Sequence, residues 1–186
     1  LADEFLSLEQ AVEKSDLIVL CAPVDVNRRL LPGILDMIKG TTKVVTDMGS
    51  TKSDISAAVS GHPARGRYVS AHPMAGTEFS GPAAADGTLF NRKVAIICDS
   101  ESSDEDALQL VKALFSSFNM RLQFMNSADH DVHVAYVSHI SHITSFALAL
   151  CVIDKEKDEK NILSLAGGGF GSTVRLSKSN GETWAP

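Results

Sequence analysis

The sequence predicts an α/β fold: part of a doubly wound parallel sheet, followed by the start of an all-α domain. Three observations carry this expectation. Leu17 to Ala22 is continuously apolar, the pattern of a parallel strand covered on both faces. Strand-like and helix-like segments alternate over the first two thirds of the chain, which implies strands joined by crossover helices. From about Ser127 the strand signal stops and one long helical pattern takes over. The expected domains are therefore 1–126, built on the sheet, and 127–186, helical.

The elements follow in order. A short amphipathic helix begins near Leu8, turns at Ser15-Asp16 and feeds the strand Leu17 to Ala22. Val24 to Ile38 has helical character, although Pro32-Gly33 weakens its middle. Lys43 to Met48 reads as the next strand, and Gly49-Ser50-Thr51 opens a helix running to about Ser60. Tyr68 to Ala71 is a strand that stops on His72-Pro73, and a Gly/Pro/Ala-rich connection leads to the strand Val94 to Cys98. Asp104 to Phe118 is helical, with Ser103 or Asp104 as N-cap. Met120 to Met125 is the last strand, and Asp129 to Cys151 is one long helix. Asp154 to Asn161, "DKEKDEKN", reads as a solvated loop or helix end, and Gly167 to Gly171 as a flexible or close-packed connection.

Composition narrows the function classes. Of 186 residues, 44% are hydrophobic and 22% charged, proportions of a soluble globular protein with a real core. A net charge of −6 argues against nucleic acid or an anionic membrane as the main partner, but not against a small anionic substrate. Cys21, Cys98 and Cys151 sit far apart in apolar runs and read as reduced core residues of a cytoplasmic protein. No apolar run approaches the length of a membrane span, and no signal peptide is visible. The chain opens on Leu1 and closes on Trp184-Ala185-Pro186, and is expected to be part of a longer protein.

Three strand ends gather the chemistry. They are Cys21-Ala22-Pro23-Val24, Asp47-Met48-Gly49-Ser50-Thr51-Lys52, and His72-Pro73. In a parallel sheet such ends share the edge where ligands bind, and a helix N-terminus there favours an anion or polar ligand. Ser50 and His72 are expected to be neighbours, with the hydroxyl fixing the imidazole tautomer; the alternative is that Ser50 caps its helix. On the long helix, 100° per residue gathers His130, Val134, Ser138, Ser141, His142 and Ser145 on one stripe. That stripe resembles the wall of a polar cleft. Val132, Tyr136, Ile143, Phe146 and Leu150 lie opposite as a core face, with His139 packed among them and His133 on the flank. Arg175, near Lys178 and Ser172, is the best partner for a substrate carboxylate, because its planar fork matches one bidentately.

Other chemistries find less support. His130-x-x-His133 and His139-x-x-His142 have a spacing that can share a metal, but there is no H-E-x-x-H and no cysteine close by, so no metal site is expected. A serine hydrolase would need a G-x-S-x-G elbow, which is absent. G-x-G-x-x-G is absent too; if the sheet is part of a Rossmann-type fold, its first strand and glycine turn are expected upstream of Leu1.

The segments "VTDMGSTK", "AHPMAGTEFSG", "ADHD" followed by "SHISH", and "GGGFGSTVRLSKSNGETW" resemble, in order and spacing, the prephenate dehydrogenases of tyrosine biosynthesis. The resemblance extends over essentially the whole chain. It implies a partial Rossmann-type dinucleotide-binding domain and the start of a helical, dimer-forming domain. It also implies NAD- or NADP-dependent oxidative decarboxylation of prephenate, or of its amino analogue arogenate. A non-catalytic regulatory domain of the same fold is the alternative of another class.

Residue by residue, the resemblance makes His72 the catalytic histidine that accepts a hydrogen bond from the substrate C4 hydroxyl, and Ser50 the serine orienting it. Arg175 would hold the ring carboxylate. His130, Ser138 and His142 would line the pocket, and Glu78 would stand near its mouth. Cys21, Ala22, Pro23, Val24, Asp47, Gly49 and Ser50 would run along the nicotinamide half of the cofactor. The match departs at Ser141, where the family's block often carries Pro, and at Gly171 and Ser172, where some relatives carry charged residues.

Overall fold

A computed structural model describes residues 2–76 and 81–178. The chain divides into two compact units, Leu1–Ala75 with Gly87–Asp131, and Gly76–Asp86 with Val132–Pro186.

In the first unit, helix α1 (Leu8–Lys14) starts with a capping box, in which Ser7 Oγ accepts from Gln10 N and Gln10 returns the bond to Ser7 N. Strand β1 (Leu17–Leu20), helix α2 (Val24–Ile38), strand β2 (Val44–Asp47) and the short helix α3 (Ser53–Ala58) follow. Then come β3 (Tyr68–Pro73), β4 (Val94–Cys98), α4 (Glu105–Ser117) and β5 (Arg121–Met125).

Helix α2 continues past Pro32. The missing N–H and ring clash cost about 3 kcal/mol. Leu31, Ile34, Leu35 and Ile38 are all fully buried on one face. At about 1.5–3 kcal/mol for each aliphatic side chain removed from water, that face outweighs the break.

The five strands lie in the order β1-β2-β3-β4-β5. The β1–β2, β2–β3 and β4–β5 pairs are parallel, as expected. The β3–β4 pair is antiparallel, with His72 opposite Ile96 and Ser70 opposite Cys98, which corrects the fully parallel expectation. The physical reason lies in the connection. Among the described residues between β3 and β4 there is a 3-10 turn, Pro82–Ala84, and no α-helix to carry a parallel crossover.

Alternation along the strands feeds two cores. Val45 and Tyr68 pack with Leu31, Leu35, Ile38 and Ile55 on the α1–α3 face. Their neighbours Val44 and Val69 pack with Ile97, Val111 and Phe115 on the α4 face. The carboxyl ends of β1, β2 and β3 consequently emerge at one edge.

Helix α5 (Ser127–Val134), a five-residue π-helical turn (Ala135–His139) and helix α6 (Ile140–Asp158) form one helical run. The "DKEKD" segment therefore ends a helix, and Gly168–Thr173 is a short helix, α7, where a connection was expected. The apolar stripe reverses its expected role: Val132, Tyr136, Ile143 and Leu150 are 55%, 72%, 63% and 65% exposed. The polar stripe is better covered, with His130 and Ser145 buried. By length and composition the 127–158 run also meets the measure of a membrane-crossing helix, contrary to the sequence expectation. Cys98 is buried as expected, whereas Cys21 and Cys151 are exposed, one just past the end of β1 and one on α6.

Candidate active site

The edge where β1, β2 and β3 end holds two polar clusters of different construction, both within the first unit. The first is centred on Asp47, the last residue of β2, which has no solvent exposure. Its Oδ2 pairs with the buried Lys52 ammonium and accepts from Gly49 N at 2.9 Å. Its Oδ1 accepts from Tyr68 OH at 2.7 Å. Lys52 Nζ also donates to Ala71 O at 2.8 Å. Burial, followed by the Asp47 charge and hydrogen bond, lifts the Tyr68 phenol well above its ordinary pKa, so it stays a donor.

Both Asp47 oxygens are therefore engaged inside the protein, and Asp47 acts as a structural anchor. Gly49 belongs to the same anchor. A Cβ there would lie 2.9 Å from Asp47 Oδ2 and 3.1 Å from Val24 Cγ2, so the close approach of the two strand-end loops requires glycine.

The second cluster is a line. His72, on β3, is 9% exposed, and its Nδ1 lies 2.9 Å from Nε2 of His130 on α5. The two rings meet edge to face, centroids 5.1 Å apart. His130 has no exposure, and its Nδ1 lies 2.8 Å from Asp131 Oδ1. Asp131 then accepts from two backbone donors at the start of α3, Lys52 N at 2.7 Å and Ser53 N at 2.8 Å. A carboxylate from a distant helix thus caps α3. Burial opposes ionisation of Asp131, but the hydrogen bonds from His130, Ser53 and Lys52 outweigh it and hold its pKa well below the carboxylate range.

This geometry revises two expectations. His72 Nδ1 lies against His130 Nε2, where Ser50 was expected. Ser50 is half-buried and makes no hydrogen bond among the described residues, nor does it cap α3, whose N-cap is Lys52. His130, expected to face substrate, has both ring nitrogens committed to His72 and Asp131. Asp131 itself was missed. The signal was the "HD" pair in "ADHD", but its partner lies 79 residues earlier in the chain.

The remaining strand-end residues make no side-chain hydrogen bond to either cluster, although Val24 approaches Gly49, and burial followed by the Asp47 charge raises the Cys21 thiol pKa. Cys21 and Pro23 are exposed, while Ala22 and Val24 are half-buried. Glu78 lies outside the described residues. Among the described residues no three His, Cys, Asp or Glu side chains are grouped to hold a metal.

In the second unit, Ser138 and His142 are half-buried, and Ser145 Oγ accepts from Ser177 N at 3.0 Å. That bond ties the 3-10 turn Arg175–Lys178 to α6. Burial, then the nearby His139 and Arg175, lowers the His142 pKa, so Arg175 and His142 share one electrostatic neighbourhood. Arg175 is exposed.

Comparison with known proteins covers both parts of the chain. Residues 2–124 match the family model "Prephenate dehydrogenase, nucleotide-binding domain", and residues 126–186 match "Prephenate dehydrogenase, dimerization domain". A prephenate dehydrogenase of Lactococcus lactis subsp. cremoris is 28% identical over 98% of this chain and 50% of its own length. A crystal structure of A. aeolicus prephenate dehydrogenase in complex with hydroxyphenyl propionate and NAD+ is 29% identical, with a TM-score of 0.80. The match covers 98% of this chain and 64% of that one. A Synechocystis arogenate dehydrogenase structure is 26% identical, with a TM-score of 0.69, over 95% of this chain and 63% of that one. The chain thus spans about half the length of the Lactococcus relative. On the two domain matches, the chain belongs to the prephenate dehydrogenase family.

Proposed function

We propose that the protein carrying this chain is an NAD- or NADP-dependent oxidoreductase that converts prephenate to 4-hydroxyphenylpyruvate in the cytoplasm. The observation that carries the reading is the placement of His72. It stands at the end of β3, on the edge shared with β1 and β2, with one ring nitrogen held by a buried partner.

The residues present fit the nicotinamide half of the cofactor. Cys21 to Val24 and Ser50 lie at the same edge without being locked into the Asp47 anchor, and they are the residues that would hold it. A G-x-G-x-x-G cradle for the pyrophosphate is not in this sequence. When bound, NAD or NADP would supply the hydride acceptor for C4 in a reaction that releases carbon dioxide and leaves the ring aromatic.

The chain's own residues do the rest. His72 accepts the proton of the C4 hydroxyl. Arg175 binds the ring carboxylate in its fork, with Ser138 and His142 as pocket residues and Glu78 at the mouth. The exposed apolar stripe of Tyr136, Ile143, Leu150 and Ile153 supports a homodimer formed through the helical unit, since a second copy would cover it.

Arogenate is the second reading, favoured by the likeness to the Synechocystis arogenate dehydrogenase. Following nicotinamide reduction by the natural full-length protein, with prephenate and arogenate each offered NAD and NADP, tests both. The faster pairing assigns substrate and cofactor. Silence from a folded protein with all four pairings overturns the enzyme reading.

A further inference from the structure

We propose that Asp131 is a positioning residue for His72: acting through His130, its carboxylate keeps the proton on His72 Nδ1 and leaves Nε2 as the base. The inference rests on the reading of His72 as proton acceptor, and it is argued from the donors and acceptors along the line.

Ionised Asp131 can only accept, so the 2.8 Å contact requires His130 Nδ1 to carry hydrogen. A singly protonated His130 then has a bare Nε2. The 2.9 Å contact between the rings needs one donor and one acceptor, so His72 Nδ1 must donate. A neutral imidazole has one N–H, and His72 Nε2 is therefore the nitrogen that accepts. When His72 takes the substrate proton, the cation formed still donates through Nδ1 into a line that ends on a negative charge. No histidine has to reorient.

The opposite polarity would put two protons on His130 and the single proton of His72 on Nε2, where it blocks the base. Asp131 does not call for a full cation beside it, because it shares its charge with Lys52 N and Ser53 N at the head of α3. The charged groups of the neighbouring elements have partners of their own. Asp47 and Lys52, from β2 and the start of α3, are paired with each other. Asp99, after β4, accepts from Ser127 N at 2.8 Å. Burial pushes the Cys98 thiol up to about 12, which keeps it neutral.

The test uses the full-length protein with 15N-labelled histidine, its ring resonances assigned to residue 72 by their loss in His72→Gln. Wild type is expected to show His72 protonated on Nδ1, and Asp131→Ala to show both tautomers. In turnover with prephenate and the better nicotinamide cofactor, Asp131→Ala should lower kcat roughly 10- to 100-fold, less than loss of the whole base, with KM held within about threefold. If the Ala variant does not fold, Asp131→Asn takes its place. It keeps an oxygen for the helix N–H groups but loses the charge, and a kcat drop at steady KM is again expected.

Wild-type His72 protonated on Nε2 overturns the proposal, and so does an unchanged kcat in a folded variant. The NMR arm is independent of substrate. Wild-type protein that turns over neither prephenate nor arogenate would sink the enzymatic reading while the tautomer still decides the role of Asp131.

Discussion

The two polar clusters at the sheet edge are made of similar groups and end differently. Asp47, Lys52 and Tyr68 close on one another: each charge and hydroxyl meets a partner inside the protein, and Asp47 and Lys52 have no exposed side-chain surface. His72, His130 and Asp131 form a line from the head of a helix to a ring at a strand end. A closed set can hold two loops in register but has no group left over to offer a ligand. A line is anchored at one end and leads to a single ring at the other. Similar chemistry, arranged with or without a terminus, separates a scaffold from the proposed reactive group.

The contrast is most exposed to a change at the end of the line. His72→Asn should keep the fold and lower turnover by about 100-fold or more, measured by nicotinamide reduction; full turnover would erase the distinction between the clusters. Breaking the closed set should act on stability instead. Lys52→Met strands the Asp47 charge and should cost about 3–5 kcal/mol in urea unfolding. A loss below about 1 kcal/mol would mean that water reaches Asp47. Gly49→Ala pushes a methyl against the same carboxylate and should cost about 1–3 kcal/mol.

Acid should distinguish the clusters more gently. The folded-state pKa of Asp131 is lowered from 3.8, so its contribution to stability is present above that value and is lost as pH falls below it. Asp131→Asn should therefore flatten the acid side of a stability-versus-pH curve, and an unchanged slope would remove Asp131 from the account. Ser50→Ala should change stability least, within about 0.5 kcal/mol, since no hydrogen bond is lost. If turnover falls in that variant while stability holds, Ser50 acts on ligand alone.

Much of the sheet was legible because its strands are short apolar runs bounded by turn residues, as at Leu17–Leu20 and Val94–Cys98. The direction of β4 was not, since an apolar run reads the same both ways. The Gly/Pro/Ala-rich sequence between Pro73 and Val94 was the available clue. His72 was legible from its place after a strand. Its partner was not, because Ser50 and His130 are equally good hydrogen-bonding residues and the choice depends on how α5 packs near β3. Helical periodicity found the two faces of the 127–158 run. It could not say which face the chain itself would cover, as an apolar stripe wants burial without naming the molecule that buries it.

The π-helical turn at Ala135–His139 has a consequence for comparing sequences. A π turn accommodates one residue more than the α-helix around it, so it shifts the rotational phase of all that follows by about 100°. A relative lacking that extra residue would need a single-position gap within 135–139 to bring Ser145 and its equivalent into one column. Aligned without the gap, every later position of α6 would be compared with a neighbour on the wrong side of the helix, and substitutions that conserve the buried side would be scored as though they had replaced it.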